Sequence, residues 1–107
     1  EWPEVAINEL GIDNRTAVVT LTHDPKLDDS ALNAALKSKA FYIGSLGSKK
    51  THKARVQRLK IANFSEDEIK RIHGPIGLAI GAKSPQEIAI SIISEIITIR
   101  NKLEFQE

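Results

Sequence analysis

The chain contains neither cysteine nor methionine. Without cysteine it can carry no disulfide framework, no thiolate metal ligand and no persulfide of its own. A cytoplasmic origin is the matching expectation. Aromatic side chains are scarce: one tryptophan, one tyrosine and three phenylalanines. No apolar run is long enough to span a bilayer, and the N-terminus lacks a signal-peptide layout. A starting methionine is also missing, and the sequence opens abruptly on Glu1-Trp2-Pro3. We expect residues 1–107 to form one domain of a longer protein, since so short a chain cannot build two independent cores.

The most informative absence is acidic charge. Between Asp29 and Glu66 there is no acidic residue, whereas Lys37, Lys39, Lys49, Lys50, Lys53, Arg55, Arg58 and Lys60 all lie there. The net charge of +1 conceals this asymmetry. A merely solvated face intersperses both signs, so a block with nothing to offset it predicts an anionic partner.

Pro3 to Leu10 reads as a short helix with Gly11 as its C-terminal cap. Thr16 to Thr22 is a β-branched run expected to be a strand buried on both faces. Pro25 ends it, and Asp28 or Asp29 caps a helix through about Ser38, with Ala31, Leu32, Ala35 and Leu36 as its apolar stripe. Ala40 to Leu46 reads as a second strand, followed by a helix from about Lys49 to Ala62. Ser65-Glu-Asp-Glu68 has the pattern of a capping box opening a short helix. A short third strand is predicted at Ile76 to Ile80. Ser84-Pro-Gln-Glu87 opens the last helix, to about Leu103, with Ile88, Ile92, Ile96, Ile99 and Leu103 directed at a sheet. The alternation specifies a parallel α/β unit. Two or three strands make a small parallel sheet, so further strands are expected from upstream chain or from a second protomer.

Ligands of open α/β sheets sit outside the carboxyl ends of the strands. Three loops fall there: His23-Asp24, Gly44 to His52, and His73 to Gly81. In Gly47-Ser-Lys-Lys-Thr51, glycine allows close approach to the backbone, Ser48 and Thr51 offer hydroxyls, and the helix start offers free amides. Lys49 and Lys50 oppose the helix dipole there, at a cost of about 0.3–1 kcal/mol each. A bound phosphate would turn that cost into a gain, and a local rule broken without compensation marks a functional site. Only two residues separate Gly44 from Gly47, which excludes a Walker A loop, and no Gly-x-Gly-x-x-Gly occurs. We assign no metal site and no nucleophile triad.

Four segments, in order, resemble the C-terminal domain of the XdhC/CoxI family, accessory proteins of xanthine dehydrogenase and related molybdenum hydroxylases. They are Leu21-Thr-His-Asp-Pro-Lys-Leu-Asp-Asp29, Tyr42-Ile-Gly-Ser-Leu-Gly-Ser-Lys-Lys-Thr-His52, Ile72-His-Gly-Pro-Ile-Gly-Leu78 and Ile80-Gly-Ala-Lys-Ser-Pro-Gln-Glu-Ile-Ala89. The resemblance implies a Rossmann-like domain whose first strand and glycine-rich turn precede Glu1. It further implies a chaperone, rather than a catalyst, that binds molybdenum cofactor (molybdopterin, as such or in a nucleotide form). Such a protein allows terminal sulfuration by a cysteine desulfurase and delivers the cofactor to the apo molybdenum hydroxylase. The candidate cofactor-binding residues are then His23, Asp24, Gly44, Ser45, Gly47, Ser48, Lys49, Lys50, Thr51, His52, His73, Gly74 and Gly77. Ala79 departs from the aspartate usual at its position in the family. A homodimer is expected from the incomplete sheet, and no nucleic-acid or membrane partner is assigned. The alternative reading is an NAD(P)-type dinucleotide-binding oxidoreductase domain.

Overall fold

Tertiary contacts decide where the expected strands and helices begin. The computed structural model describes residues 2–105, without the side chains of the last two. The element order is α1 (Pro3–Leu10), β1 (Ala17–Thr20), α2 (Pro25–Leu36), β2 (Tyr42–Ser45), α3 (Lys49–Ile61), α4 (Glu66–Ile69), β3 (Ile72–His73) and α5 (Pro85–Phe105). The three strands form one parallel sheet in the order β1-β2-β3. Val18 and Ile72 both pair with Ile43, and Val19 and His73 both pair with Gly44. Flanking helices complete a small α/β unit of Rossmann type. Among the described residues no helix is long and apolar enough to cross a membrane.

Alternation along β2 divides the molecule into two layers. Ile43 points to one face, where it joins Leu32, Ala35 and Leu36 of α2, Leu59 of α3, Ile69 of α4 and Ile72 of β3 in the core. Tyr42 points to the other, where its hydroxyl donates to Glu95 of α5. The stripe expected on α2 is therefore the one buried. On α5 the described burial narrows to Ser91 and Ile92, while Ile90, Ile93, Ile97 and Leu103, the last expected to face the sheet, stay exposed.

Four sequence-based expectations are corrected. Asp24, not Asp28 or Asp29, caps α2: its Oδ1 accepts from the Lys26 amide at 2.9 Å, with Pro25 supplying a preset φ at the first helical position. Asp28 lies inside the helix and is buried. The third strand is Ile72–His73 and not Ile76–Ile80, because Ile72 completes the apolar core whereas Leu78 and Ile80 remain exposed. Among the described residues β1 is the outer strand of the sheet, and only Thr20 of its four residues is fully buried. Finally, the basic block is not unopposed: Arg55 and Arg58 each meet an acid of α2. The capping box at Ser65 and the Ser84 start of α5 form as expected, Ser84 Oγ accepting from the Glu87 amide at 3.2 Å.

Candidate functional site

The turn after β2 carries the local signals that start α3. Ser48 is its N-cap, and Ser48 Oγ accepts from the Thr51 amide at 3.1 Å. Gly47 has φ +137°, a backbone conformation open to glycine and strained for any residue with a Cβ. The Lys49 and Lys50 amides consequently stand at the open N-terminal end of a helix of 13 residues.

Arg55 fastens this turn from beneath. It is 1% exposed and ranks among the largest buried side chains. Its Nε donates to Asp28 Oδ2 at 2.7 Å, its Nη2 to the Leu46 carbonyl at 2.8 Å, and its Nη1 to His52 Nδ1 at 3.0 Å. Asp28 also accepts from Ser45 Oγ at 3.1 Å, and the Ser45 hydroxyl is in turn hydrogen-bonded to Thr20. One buried network thus ties the ends of β1 and β2 to α2 and α3. A guanidinium supplies several donors in one rigid fork, which suits it to hold three acceptors at once.

Above this network lies a cleft of about 560 Å³ at the carboxyl edge of the sheet. It is lined by Thr22, His23, Asp24 and Pro25 from the start of α2, and by Leu46, Gly47, Ser48, Lys50 and Thr51 from the start of α3. Asp28, Ala54, Arg55 and Arg58 complete its wall. Both carboxylates of the lining are engaged, Asp24 as a cap and Asp28 with Arg55. Arg58 is held by Asp29 through Nε at 2.7 Å and Nη2 at 3.1 Å. Lys50 is the lining cation with no ion pair among the described residues. Two helix N-termini and one free ammonium therefore converge on this cleft, a donor set suited to a phosphate.

Twelve of the thirteen sequence-predicted residues fall into three groups, and Lys49 stands apart. His23, Asp24, Gly47, Ser48, Lys50 and Thr51 share the cleft. Ser45 and His52 belong to the network around Arg55, and Lys49 is exposed outside the lining. Gly44 pairs with His73 and lies against Ile76 and Tyr42, His73 and Gly77 meet Glu95 of α5, and Gly74 lies against His52. His73 stacks on Tyr42 with ring centroids 4.7 Å apart, and its Nδ1 lies 3.6 Å from Glu95 Oε1. The Gly77 amide donates to the same oxygen at 3.1 Å. Gly74 runs so close to His52 that a Cβ there would collide with the imidazole. Burial, and then the Glu95 carboxylate, raise the Tyr42 pKa and keep the phenol a donor. Burial, and then the Arg55 cation, lower the His52 pKa, so its Nδ1 is free to accept.

Sequence reasoning missed the roles of Asp28 and Arg55 and the Tyr42–Glu95 link. Arg55 was legible in principle, since it precedes Leu59 by one helical turn and so shares its inward face. An arginine on a core-facing side requires a buried acid, and Asp28-Asp29 is the acid pair that precedes the basic block.

Residues 2–96 match the family model described as the XdhC Rossmann domain. The chain is 37% identical over 89 residues to the molybdenum cofactor insertion chaperone PaoD of Escherichia coli K12, covering 83% of this chain and 28% of that protein. It is 32% identical over 102 residues to a Bacillus subtilis 168 protein named as a probable xanthine dehydrogenase subunit, covering 95% of this chain and 29% of that one. A crystal structure described as a xanthine dehydrogenase from Bacillus halodurans superposes with a TM-score of 0.75 at 31% identity, covering 95% of this chain and 28% of that chain. The chain spans less than a third of the length of each of these relatives. With most of its length inside the family model, the chain belongs to the XdhC Rossmann-domain family.

Proposed function

We propose that this chain is the cofactor-facing Rossmann domain of a molybdenum-cofactor insertion chaperone, acting on behalf of a xanthine dehydrogenase-type molybdenum hydroxylase. The observation that carries this reading is the cleft in which Gly47, Ser48, Lys50 and Thr51 meet His23 and Asp24 across the starts of two helices. Molybdopterin bears a phosphate, and the α3 terminus with Lys50 is the natural seat for it. Gly47 lets the phosphate approach the backbone, and Ser48 and Thr51 flank it with hydroxyls. Arg55, already committed to Asp28, Leu46 and His52, holds the turn in place and does not contact the cargo. The cofactor, when bound, supplies the redox-active metal centre, while this chain's residues bind and orient it. The reading extends to delivery to the apo hydroxylase, to terminal sulfuration by a cysteine desulfurase, and to action as a homodimer. The naming of the E. coli and B. subtilis relatives supports the cofactor and the client class.

Purified chain titrated with molybdopterin tests the assignment. Lys50→Glu should weaken binding by about tenfold or more, the loss of one charge-assisted contact. Lys49→Glu, outside the cleft lining, should have the smaller effect. Equal affinity in wild type and Lys50→Glu would move the phosphate elsewhere. Tight nicotinamide-dinucleotide binding with hydride transfer would favour the oxidoreductase reading instead.

A further inference from the structure

Helix α3 contains no acidic residue, and its two arginines are taken up by Asp28 and Asp29. The charge it presents outward is therefore carried by lysines, and these are divided between two sides. Lys50 lines the cleft. Lys49, Lys53 and Lys60 recur at helical spacing along another, exposed side of the same helix.

Beside that side runs a separate groove of about 480 Å³, bounded by α3, α4 and β3, an edge strand among the described residues. Half-buried Val56, with the outer edges of the core residues Ile69 and Ile72, gives it a narrow apolar floor, and Lys60 and Lys70 give it a basic rim. His52 also lines it, and Glu66 is its one acidic side chain. Because burial and Arg55 disfavour the imidazolium, the charge of the rim rests on its lysines.

We propose that this groove receives an extended acidic segment of a partner protein. Its carboxylates pair with Lys60 and Lys70, and an apolar side chain between them rests on Val56, beside the core residues Ile69 and Ile72. Charge complementarity argues for the acid, and the apolar floor beside an edge strand argues for a polypeptide. Nucleic acid fits less well: it has no aliphatic side chains to cover the floor, and Phe64, the nearby aromatic, packs against the protein core and offers no stacking platform. This groove shares no lining residue with the cofactor cleft and meets the network beneath it only at His52, so the two are tested separately.

The test titrates the full chain with a short synthetic peptide of alternating glutamate and leucine, followed by residue-resolved NMR. Saturable shifts are expected at Val56, Ile69 and Ile72, and the double variant Lys60→Glu/Lys70→Glu should bind about tenfold more weakly or worse. Both substituted lysines are exposed, so the variant should melt like the parent. Lys50→Glu should leave peptide affinity unchanged. The proposal is overturned if the shifts centre on Gly47 and Thr51, if the double variant binds equally well, or if no shift occurs. It is also overturned if single-stranded DNA displaces the peptide from these residues with the tighter affinity.

Discussion

Two ion pairs join α2 to α3 one turn apart, and both have a closest approach of 2.7 Å. Arg55–Asp28 has side chains 2% and 5% exposed, whereas those of Arg58–Asp29 are 35% and 28% exposed. Distance alone would rank them equal. Burial separates them, because removing one partner of the inner pair strands a charge away from water, while the outer pair is hydrated and screened. The inner pair also has further acceptors to lose, at Leu46 and His52. The difference teaches that the inner pair sets the shape of the turn after β2, and the outer one decorates the seam.

The strongest way to break the comparison is Arg55→Ala. It leaves Asp28 buried without its cation and should cost about 3–5 kcal/mol in denaturant unfolding. A loss no larger than that of an exposed residue would show that the network is not buried in solution. Arg58→Ala should cost at most about 1 kcal/mol, and added salt should shrink even that. A loss comparable with Arg55→Ala would erase the distinction between the two pairs. The smallest effect concerns pH. The folded-state pKa of His52 lies below its ordinary value of 6.5, so protonation favours the unfolded chain. Its stabilising contribution is complete above about pH 6.5 and is lost as the pH falls through the lower folded-state pKa. His52→Gln, whose amide oxygen can still accept from Arg55, should flatten the acid limb of the stability curve; an unchanged slope would exclude His52 as the titrating group.

Much of the fold was legible. Capping residues are local, so Gly11, Ser65 and Ser84 marked their helix ends without reference to anything distant. The β3 error has the opposite origin. Ile72 and Ile76 are both β-branched, and only the free space beside Ile43 decides which one enters the sheet. At the site, Gly47 to Thr51 was legible as a glycine turn opening a capped helix because helix-start chemistry is carried within a few residues. Its union with His23 and Asp24 follows from strand order, as sequence reading anticipated for loops at one sheet edge. The separation of His73 and Gly77 from that cleft was not legible, since it depends on Glu95 reaching across from α5.

The sequence by itself determined the alternation of strands and helices, the glycine turn, the helix caps and the concentration of basic residues on one segment. All of these are encoded by neighbours within a turn or two. Only the tertiary structure decided which cations remain free. Asp28 and Asp29 precede their arginine partners by 27 and 29 residues and meet them through the packing of α2 on α3. Electrostatic compensation acts through space, so a block without acids along the chain became, once folded, two satisfied arginines and a set of outward lysines.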